Sequence, residues 1–80
     1  LNKTGTKLLV AATFDGEDNL DIYEIDWSQK CRTRITQDKN QDSGPVYGPE
    51  SKAIFFSSNR SGSYQIYTRN LNPNSPCVPF

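Results

Sequence analysis

Short apolar runs and alternating runs, each present twice, form the main pattern of the chain. The apolar runs are Leu8–Thr13 and Ala53–Ser58, and short runs of this kind between turn residues are typical of strands buried on both faces. The alternating runs are Asp21–Asp26 and Gln65–Asn70, which is the pattern of strands with two different faces. These segments predict an all-β chain.

Turn chemistry separates the predicted strands. The sequences DGEDN and NRSGS lie between the paired runs, and both suit hairpin turns because Gly and Asn tolerate positive φ. Arg32–Thr36 is polar enough for an outer strand, and a polar linker, QDKNQDSG, follows it. Pro45 and Pro49 bracket a short extended piece that ends in a turn at Glu50-Ser51. The Pro-rich tail, NPNSPCVPF, predicts an edge strand or irregular structure, because Pro cannot donate to a ladder.

The spacing of these segments indicates a repeat. Tyr23 and Tyr67, each preceded by Ile, lie 44 residues apart, and Lys7 and Lys52 lie 45 residues apart. A period of about 40–45 residues with four short strands per unit is typical of propeller blades. The difference of one residue falls in the turn between the paired strands.

Length and charge narrow the function classes. Eighty residues form one small domain, and nine basic residues balance nine acidic ones, which removes the electrostatic case for nucleic acid or an anionic membrane. No apolar run approaches the roughly 20 residues that span a bilayer. The sequence opens at Leu1 rather than Met, so we expect a piece of a longer propeller. The alternative is assembly from several copies, in which three copies would supply six blades.

The absence of His limits the chemistry of the chain. Without His, this chain holds no Ser-His-Asp triad, no Cys-His pair and no His-ligated metal. It also lacks the Gly-x-Ser-x-Gly sequence of a nucleophile elbow. These observations favour a non-catalytic role and leave open an enzyme whose catalytic residues lie outside this chain.

The stretch DSGPVYGPESKAIFFSSNRSGSYQIYTRN, residues 42–70, resembles the TolB-type β-propeller repeat, a WD-like repeat family. GTKLLVAATFDGEDNLDIYEID resembles the same unit, and TRIT resembles its closing strand. Departures are Glu50-Ser51 in place of Asp-Gly, Asn70 where Asp is commoner, and Asp15 in the place of the turn Arg. The matching positions are Pro45, Tyr47, Pro49, Lys52, Ile54, Phe56, Ser58, Asn59, Arg60, Gly62, Ile66 and Tyr67, with Gly5, Lys7, Leu9, Gly16, Ile22, Tyr23 and Asp26 in the first unit.

The resemblance implies two antiparallel four-stranded propeller blades, the first lacking its inner strand. Residues 1–41 form the first blade and residues 42–80 the second, together a fragment of one propeller domain. It further implies a non-catalytic scaffold for protein–protein interaction, outside the cytoplasm in the bacterial periplasm or cell envelope. The namesake propeller of the family binds a peptidoglycan-associated lipoprotein, and the partner of this chain is not identified by any residue matched here.

Similar propellers also gate substrate access in prolyl-oligopeptidase-like serine peptidases. The alternative function is therefore a gating segment whose catalytic domain lies outside this chain. In either case the hairpin loops would form the variable rim of the propeller. Core packing is the favoured interpretation of Tyr47, and the alternative is that it lines the central channel. The candidate interaction residues are Asp15, Glu17, Asp18, Asn59, Arg60, Ser61 and Tyr47.

Carboxylates and an amide at alternate positions give a weak candidate for calcium: Asp15, Glu17, Asn19 and Asp21. Hard cations take clustered oxygen ligands, but the calcium loop requires Gly at its sixth position, which Leu20 holds here. A solvated turn is the favoured interpretation, so no cofactor is expected.

Three further side chains carry expectations. Arg60 is expected to pair with a carboxylate of a neighbouring blade, and Trp27 to pack or cap a loop. Cys31 and Cys77 stand at comparable places near the rims of their blades. Rim points on neighbouring blades diverge beyond the Cα limit of about 7 Å for a disulfide, so we expect no bond between these cysteines.

Overall fold

The computed structural model describes residues 1–2, 4–14, 19–37 and 40–79, and its regular structure consists of β-strands. A single 3₁₀ turn, Pro49–Ser51, interrupts them within the described ranges. The strands are β1 (Lys7–Ala12), β2 (Asp21–Asp26), β3 (Cys31–Arg34), β4 (Asp42–Tyr47), β5 (Ala53–Ser58), β6 (Gln65–Asn70) and β7 (Val78–Pro79).

The strands form two antiparallel sheets, which confirms the predicted fold class. The first sheet has the order β1-β2-β3-β7, and the second has the order β4-β5-β6. The sheets share one feature of register: Val10 pairs with Tyr23 in the first sheet, and Phe56 pairs with Tyr67 in the second. The division of the chain into blades 1–41 and 42–80 stays a prediction, and the tail strand β7 lies on the first sheet.

The second sheet begins inside the segment that the sequence predicts as a polar linker. β4 starts at Asp42, and Ser43 pairs with Ser57 of β5. The register shifts between Ser43 and Val46, and Gly44 in this bulge has φ of 61°, a left-handed conformation that Gly adopts without steric cost. Hydrophobic patterning missed this part of β4 because backbone pairing, rather than apolar burial, holds it.

The third strand of the first sheet begins one residue before and ends two residues before its predicted bounds, Arg32–Thr36. β3 begins at Cys31, which pairs with Asp26. Beyond Arg34, the amides of Ile35 and Thr36 both donate to the carbonyl of Ile22, at 2.8 and 3.3 Å. The Thr36 hydroxyl accepts the Ile22 amide at 2.9 Å, so contact with β2 continues past the strand itself.

The core lies between the two sheets. Ile22 of the first sheet and Ile54 and Phe56 of the second are its fully buried members. The half-buried apolar side chains around them are Leu9, Ala11, Ile35, Tyr47, Tyr67 and Leu71. One face of each sheet is therefore buried by the other, as in adjacent layers around a shared core.

The tail corrects the expectation about the cysteines. Cys31 and Cys77 form a disulfide with a Cα–Cα distance of 5.4 Å. The expectation that they stay apart is wrong because the tail does not remain at the rim of the second sheet. It crosses to the first sheet, where Val78 pairs with Arg32 and Pro79 with Cys31, and this brings Cys77 beside β3.

Across the part of the chain that the structure describes, no helix has the length and apolar character needed to cross a membrane.

Candidate functional site

The two hairpin ends of the sheets meet at Gln41. The Leu20 amide donates to Gln41 Oε1 at 2.8 Å, and the Gln41 amide donates to Asn59 Oδ1, also at 2.8 Å. One residue thus joins the end of the first hairpin to the end of the second, and the two loops lie side by side. The sequence pattern does not predict this role for Gln41, because Gln41 lies in the segment that reads as a polar linker.

Arg60 has an architectural position at this end of the molecule. Its guanidinium lies over the rings of Phe56 and Tyr67, 5.2 and 4.9 Å from their centroids. It donates to Ser58 Oγ at 3.1 Å and to the buried carboxylate of Asp42 at 3.4 Å. Because Asp42 belongs to the same sheet, the expectation of a carboxylate from a neighbouring blade is wrong for this pair.

Phe14 occupies the corresponding place in the first sheet. Its ring meets that of Tyr23 edge to face, with centroids 4.9 Å apart. The guanidinium of Arg32 lies 4.8 Å from the centre of the Phe14 ring. The aromatic ring of Phe14 therefore covers Tyr23 as the guanidinium of Arg60 covers Tyr67. The resemblance to the propeller repeat puts Asp15 at the position of this Arg in the first unit, and Asp15 lies outside the described residues.

The weak calcium candidate is only partly described. Asp21 is buried and its carboxylate pairs with Arg34, while the Asn19 amide donates to the carbonyl of Asn40 at 3.3 Å. Asp15 and Glu17 lie outside the described residues. Over the described ranges, no three acidic or Cys side chains gather as metal ligands. The guanidinium beside Asp21 supplies the positive charge that a cation would otherwise bring.

The remaining candidates at the hairpin ends differ in exposure. Ser61 is exposed, and its hydroxyl donates to the carbonyl of Ser63 at 3.2 Å. The side chain of Asn59 is engaged by Gln41, as described above. Asp18, the third acidic member of the first loop, lies outside the described residues together with Asp15 and Glu17. The described part of this surface is therefore formed mainly by the second hairpin.

Tyr47 lies between the sheets rather than in an open channel. Its hydroxyl donates to Glu24 Oε2 at 2.7 Å, and Lys7 Nζ lies 3.9 Å from the other oxygen of that carboxylate. Burial and the negative charge of Glu24 raise the pKa of Tyr47 well above its ordinary value. The phenol therefore stays a donor and joins the two sheets.

A cleft of about 850 Å³ opens at the opposite end of the sheets. It combines two positive side chains with two negative ones, so its net charge is close to zero. Its charged lining residues are Lys7, Lys52, Glu24 and Asp26. The tail segment 71–77 borders it, and the disulfide holds that segment against the first sheet.

Asp26 closes the turn at this end. Its carboxylate accepts the Ser28 hydroxyl at 2.7 Å and the Gln29 amide at 3.0 Å. These hydrogen bonds, with a smaller contribution from Lys7, hold the pKa of Asp26 below its ordinary value. Trp27 lies exposed in the same turn, so it is accessible and does not pack in the core.

Comparisons with known proteins agree with the propeller resemblance over most of the chain. The Tol-Pal system protein TolB of Helicobacter pylori is 32% identical over 71 residues, which cover 89% of this chain and 16% of that protein. An uncharacterized protein of Agrobacterium fabrum is 34% identical over 55 residues, covering 69% of this chain and 19% of that protein. The chain therefore spans less than a fifth of the length of these curated relatives. No protein-family model matches it.

Proposed function

We propose that this chain is a non-catalytic segment of a TolB-like β-propeller and that it serves as a scaffold for protein–protein interaction. The observation that carries the proposal is the similarity to TolB over 71 residues, in a chain that forms two antiparallel sheets with a shared core. The similarity supports the family, and the sheets supply the layers that blades require.

The rim of the hairpins is the interaction surface of this proposal. Asn59 and Gln41 hold the second hairpin at the end of the first, so the loop 59–63 is carried on a fixed base. Ser61 and Arg60 lie on that loop. Loops supported by a rigid sheet are common sites of recognition.

A location outside the cytoplasm belongs to the same proposal. The disulfide between Cys31 and Cys77 supports it, because such bonds persist in oxidising compartments, including the bacterial periplasm. The partner would be a protein of the same compartment. The alternative of a peptidase-gating segment gains no support from the two relatives above, neither of which is named as a peptidase.

Site-specific photo-cross-linking tests the proposal in the cells that make the full-length protein. A benzoyl-phenylalanine at position 61, in place of exposed Ser61, should give a protein–protein adduct on irradiation. The same probe in place of Trp27, at the other end of the sheets, is the matched comparison, since it exchanges one exposed aromatic side chain for another.

Adducts at position 61 with few at position 27 would support recognition at the hairpin rim. Adducts at position 27 alone would move the interaction to the opposite end. No protein adduct at either position, with both variants folded and their disulfide intact, would contradict the scaffold function.

A further inference from the structure

The cleft at the end of the sheets opposite the hairpin rim has polar walls. Along the inner face of β2, Ile22 lies in the apolar core, whereas Glu24 and Asp26 line the cleft. The two sheets therefore pack through apolar side chains near the hairpins and leave a polar space at the other end. Its volume of about 850 Å³ lies in the range of about 300–1,000 Å³ that small-molecule sites occupy.

The cleft has one available charge of each sign, on opposite walls. Lys7 and Glu24 are engaged with each other. Asp26, on the first sheet, is 5% exposed and uses Oδ1 for both of its hydrogen bonds, so its Oδ2 has no donor among the described residues. Lys52, immediately before β5 on the second sheet, has no ion-pair partner within the described ranges. A carboxylate oxygen and an ammonium group are thus both left for a ligand.

The neutral part of the lining consists mainly of amide and hydroxyl side chains. These groups both donate and accept hydrogen bonds, which suits the N–H and C=O groups of a peptide backbone. They come from both sheets and from the tail that the disulfide holds beside them. The side chains are Gln29, Thr33, Ser51, Asn70, Asn72 and Ser75.

Backbone strain is concentrated in the two turns beside the cleft. Three non-Gly residues of the described part have positive φ, Lys30, Glu50 and Ser51, and Gln29 and Ser51 of these turns line the cleft. Residues in such conformations cluster at functional sites. The propeller repeat has Asp-Gly in place of Glu50-Ser51, and Gly takes positive φ without steric cost. Ser51 therefore adds a hydroxyl to the cleft at a cost that the repeat avoids.

We propose that the cleft binds a short peptide with free termini, with the peptide ammonium on Asp26 Oδ2 and the peptide carboxylate on Lys52 Nζ. The amide and hydroxyl side chains around these two anchors bond the peptide groups. A ligand with a charge of one sign would leave one anchor unpaired, and a single amino acid would leave much of the cleft to water. The hairpin rim takes no part in this site, so the inference can fail independently of the proposed scaffold function.

Titration calorimetry of the oxidised protein with trialanine tests the proposal. Trialanine with free termini should bind saturably at one site, and free alanine should bind more weakly. N-acetyl-trialanine lacks the ammonium, and trialanine amide lacks the carboxylate. Each blocked peptide should bind about tenfold more weakly than trialanine or worse, which is the loss expected for one charged hydrogen bond.

Variants of the two anchors assign the orientation of the peptide. Asp26→Asn should bind trialanine and N-acetyl-trialanine equally weakly, and Lys52→Met should no longer distinguish trialanine from its amide. The matched controls are Glu50→Gln and Lys30→Met, which remove the same charges from exposed residues at this end that do not line the cleft. Both controls should bind trialanine as the wild type does.

Ser51→Gly gives a readout that a merely structural role of Ser51 would not give. The variant should bind trialanine more weakly because it lacks the hydroxyl. Its urea midpoint should nevertheless rise, because Gly relieves the strain of positive φ.

Absence of saturable trialanine binding by the folded, oxidised protein would overturn the proposal. Equal affinity for free and blocked peptides would also overturn it, since the terminal charges would then play no part. A loss in Lys30→Met as large as that in Lys52→Met would reduce the effect to net charge and exclude the site. If Asp26→Asn does not fold, Lys52→Met at its exposed position carries the test with the amidated peptide.

Discussion

The hydroxyl of Tyr47, on the first strand of the second sheet, donates a 2.7 Å hydrogen bond to Glu24 in the middle of the first sheet. Lys7 Nζ also lies 3.9 Å from Glu24. The Glu24 carboxylate, on the inner side of the first sheet, is therefore paired with a cation of its own sheet and hydrogen-bonded to a hydroxyl of the other sheet. This contact is polar, whereas the rest of the interface around Ile22 and Phe56 is apolar. It therefore fixes the position of one sheet on the other more narrowly than apolar packing does.

Tyr47→Phe should destabilise the protein. The variant keeps the ring but removes the donor, and a hydrogen bond to a charged group contributes about 1.5–3 kcal/mol. The free energy of unfolding in urea measures the loss. Tyr64→Phe is the control, because Tyr64 is exposed and its hydroxyl should contribute little. Equal effects of the two substitutions would show that the Glu24 bond adds nothing to stability.

Arg60→Met should leave the Asp42 carboxylate buried without its guanidinium. Breaking a buried pair costs about 3–5 kcal/mol, and the partial exposure of Arg60 reduces the expected loss to about 2–3 kcal/mol. Thermal or urea unfolding of Arg60→Met should be compared with that of Arg69→Met, since Arg69 is exposed on β6. A loss below about 1 kcal/mol would show that Asp42 relies on other partners.

Opening the disulfide should remove a large part of the stability. The bond closes a loop of 46 residues, for which the chain-entropy model gives about 4 kcal/mol. A small core supplies only about 3–5 kcal/mol in total, so reduction should bring the chain close to its unfolding midpoint. The measurement is thermal unfolding with and without a phosphine reductant. The double variant Cys31→Ser, Cys77→Ser should have the same low unfolding midpoint with and without reductant. A wild-type midpoint that the reductant leaves unchanged would contradict the prediction.

Asp26 should make the stability depend on pH at the acid end. Because the folded protein lowers the pKa of Asp26 below 3.8, protonation favours the unfolded chain. The contribution of this carboxylate to stability is fully present above the pKa that Asp26 has in the unfolded chain. It is lost as the pH falls from that pKa toward the lower pKa of the folded protein. Urea midpoints measured from neutral pH down to about pH 2.5 should therefore fall more steeply for the wild type than for Asp26→Asn. Parallel curves would show that Ser28 and Gln29 do not favour the charged form.

The local pattern of apolar and polar residues predicts much of the fold. The strands β2, β5 and β6 lie at the bounds that alternation and the apolar run predict, because side-chain burial and strand period act together in them. β1 is displaced by one residue from its predicted bounds, Lys7–Ala12 against Leu8–Thr13. The turn at Glu50-Ser51 was also expected, and both residues take positive φ, 60° and 55°.

The missed features depend on contacts distant in sequence. The start of β4 is held by pairing with Ser57 and by Arg60 on Asp42, and neither leaves an apolar signal in the segment itself. The cysteine pairing differs from the expectation because the tail crosses to the first sheet, whereas in an idealised blade each tail stays with its own sheet. The sequence predicts only part of the candidate site, Arg60 and Tyr47. Gln41, Glu24 and Phe14 belong to it through tertiary contacts that leave no pattern in the sequence.

The crossing of the tail to the first sheet decides how the molecule responds to mechanical load. With the Cys31–Cys77 bond closed, a pull applied to the two ends of the chain passes from β7 directly into β3. The whole second sheet lies within the covalent loop and bears no tension. Stretching would strip β1 and β2 first. The second sheet would then unfold because Ile54 and Phe56 lose the cover that Ile22 gives them, and not because it is pulled.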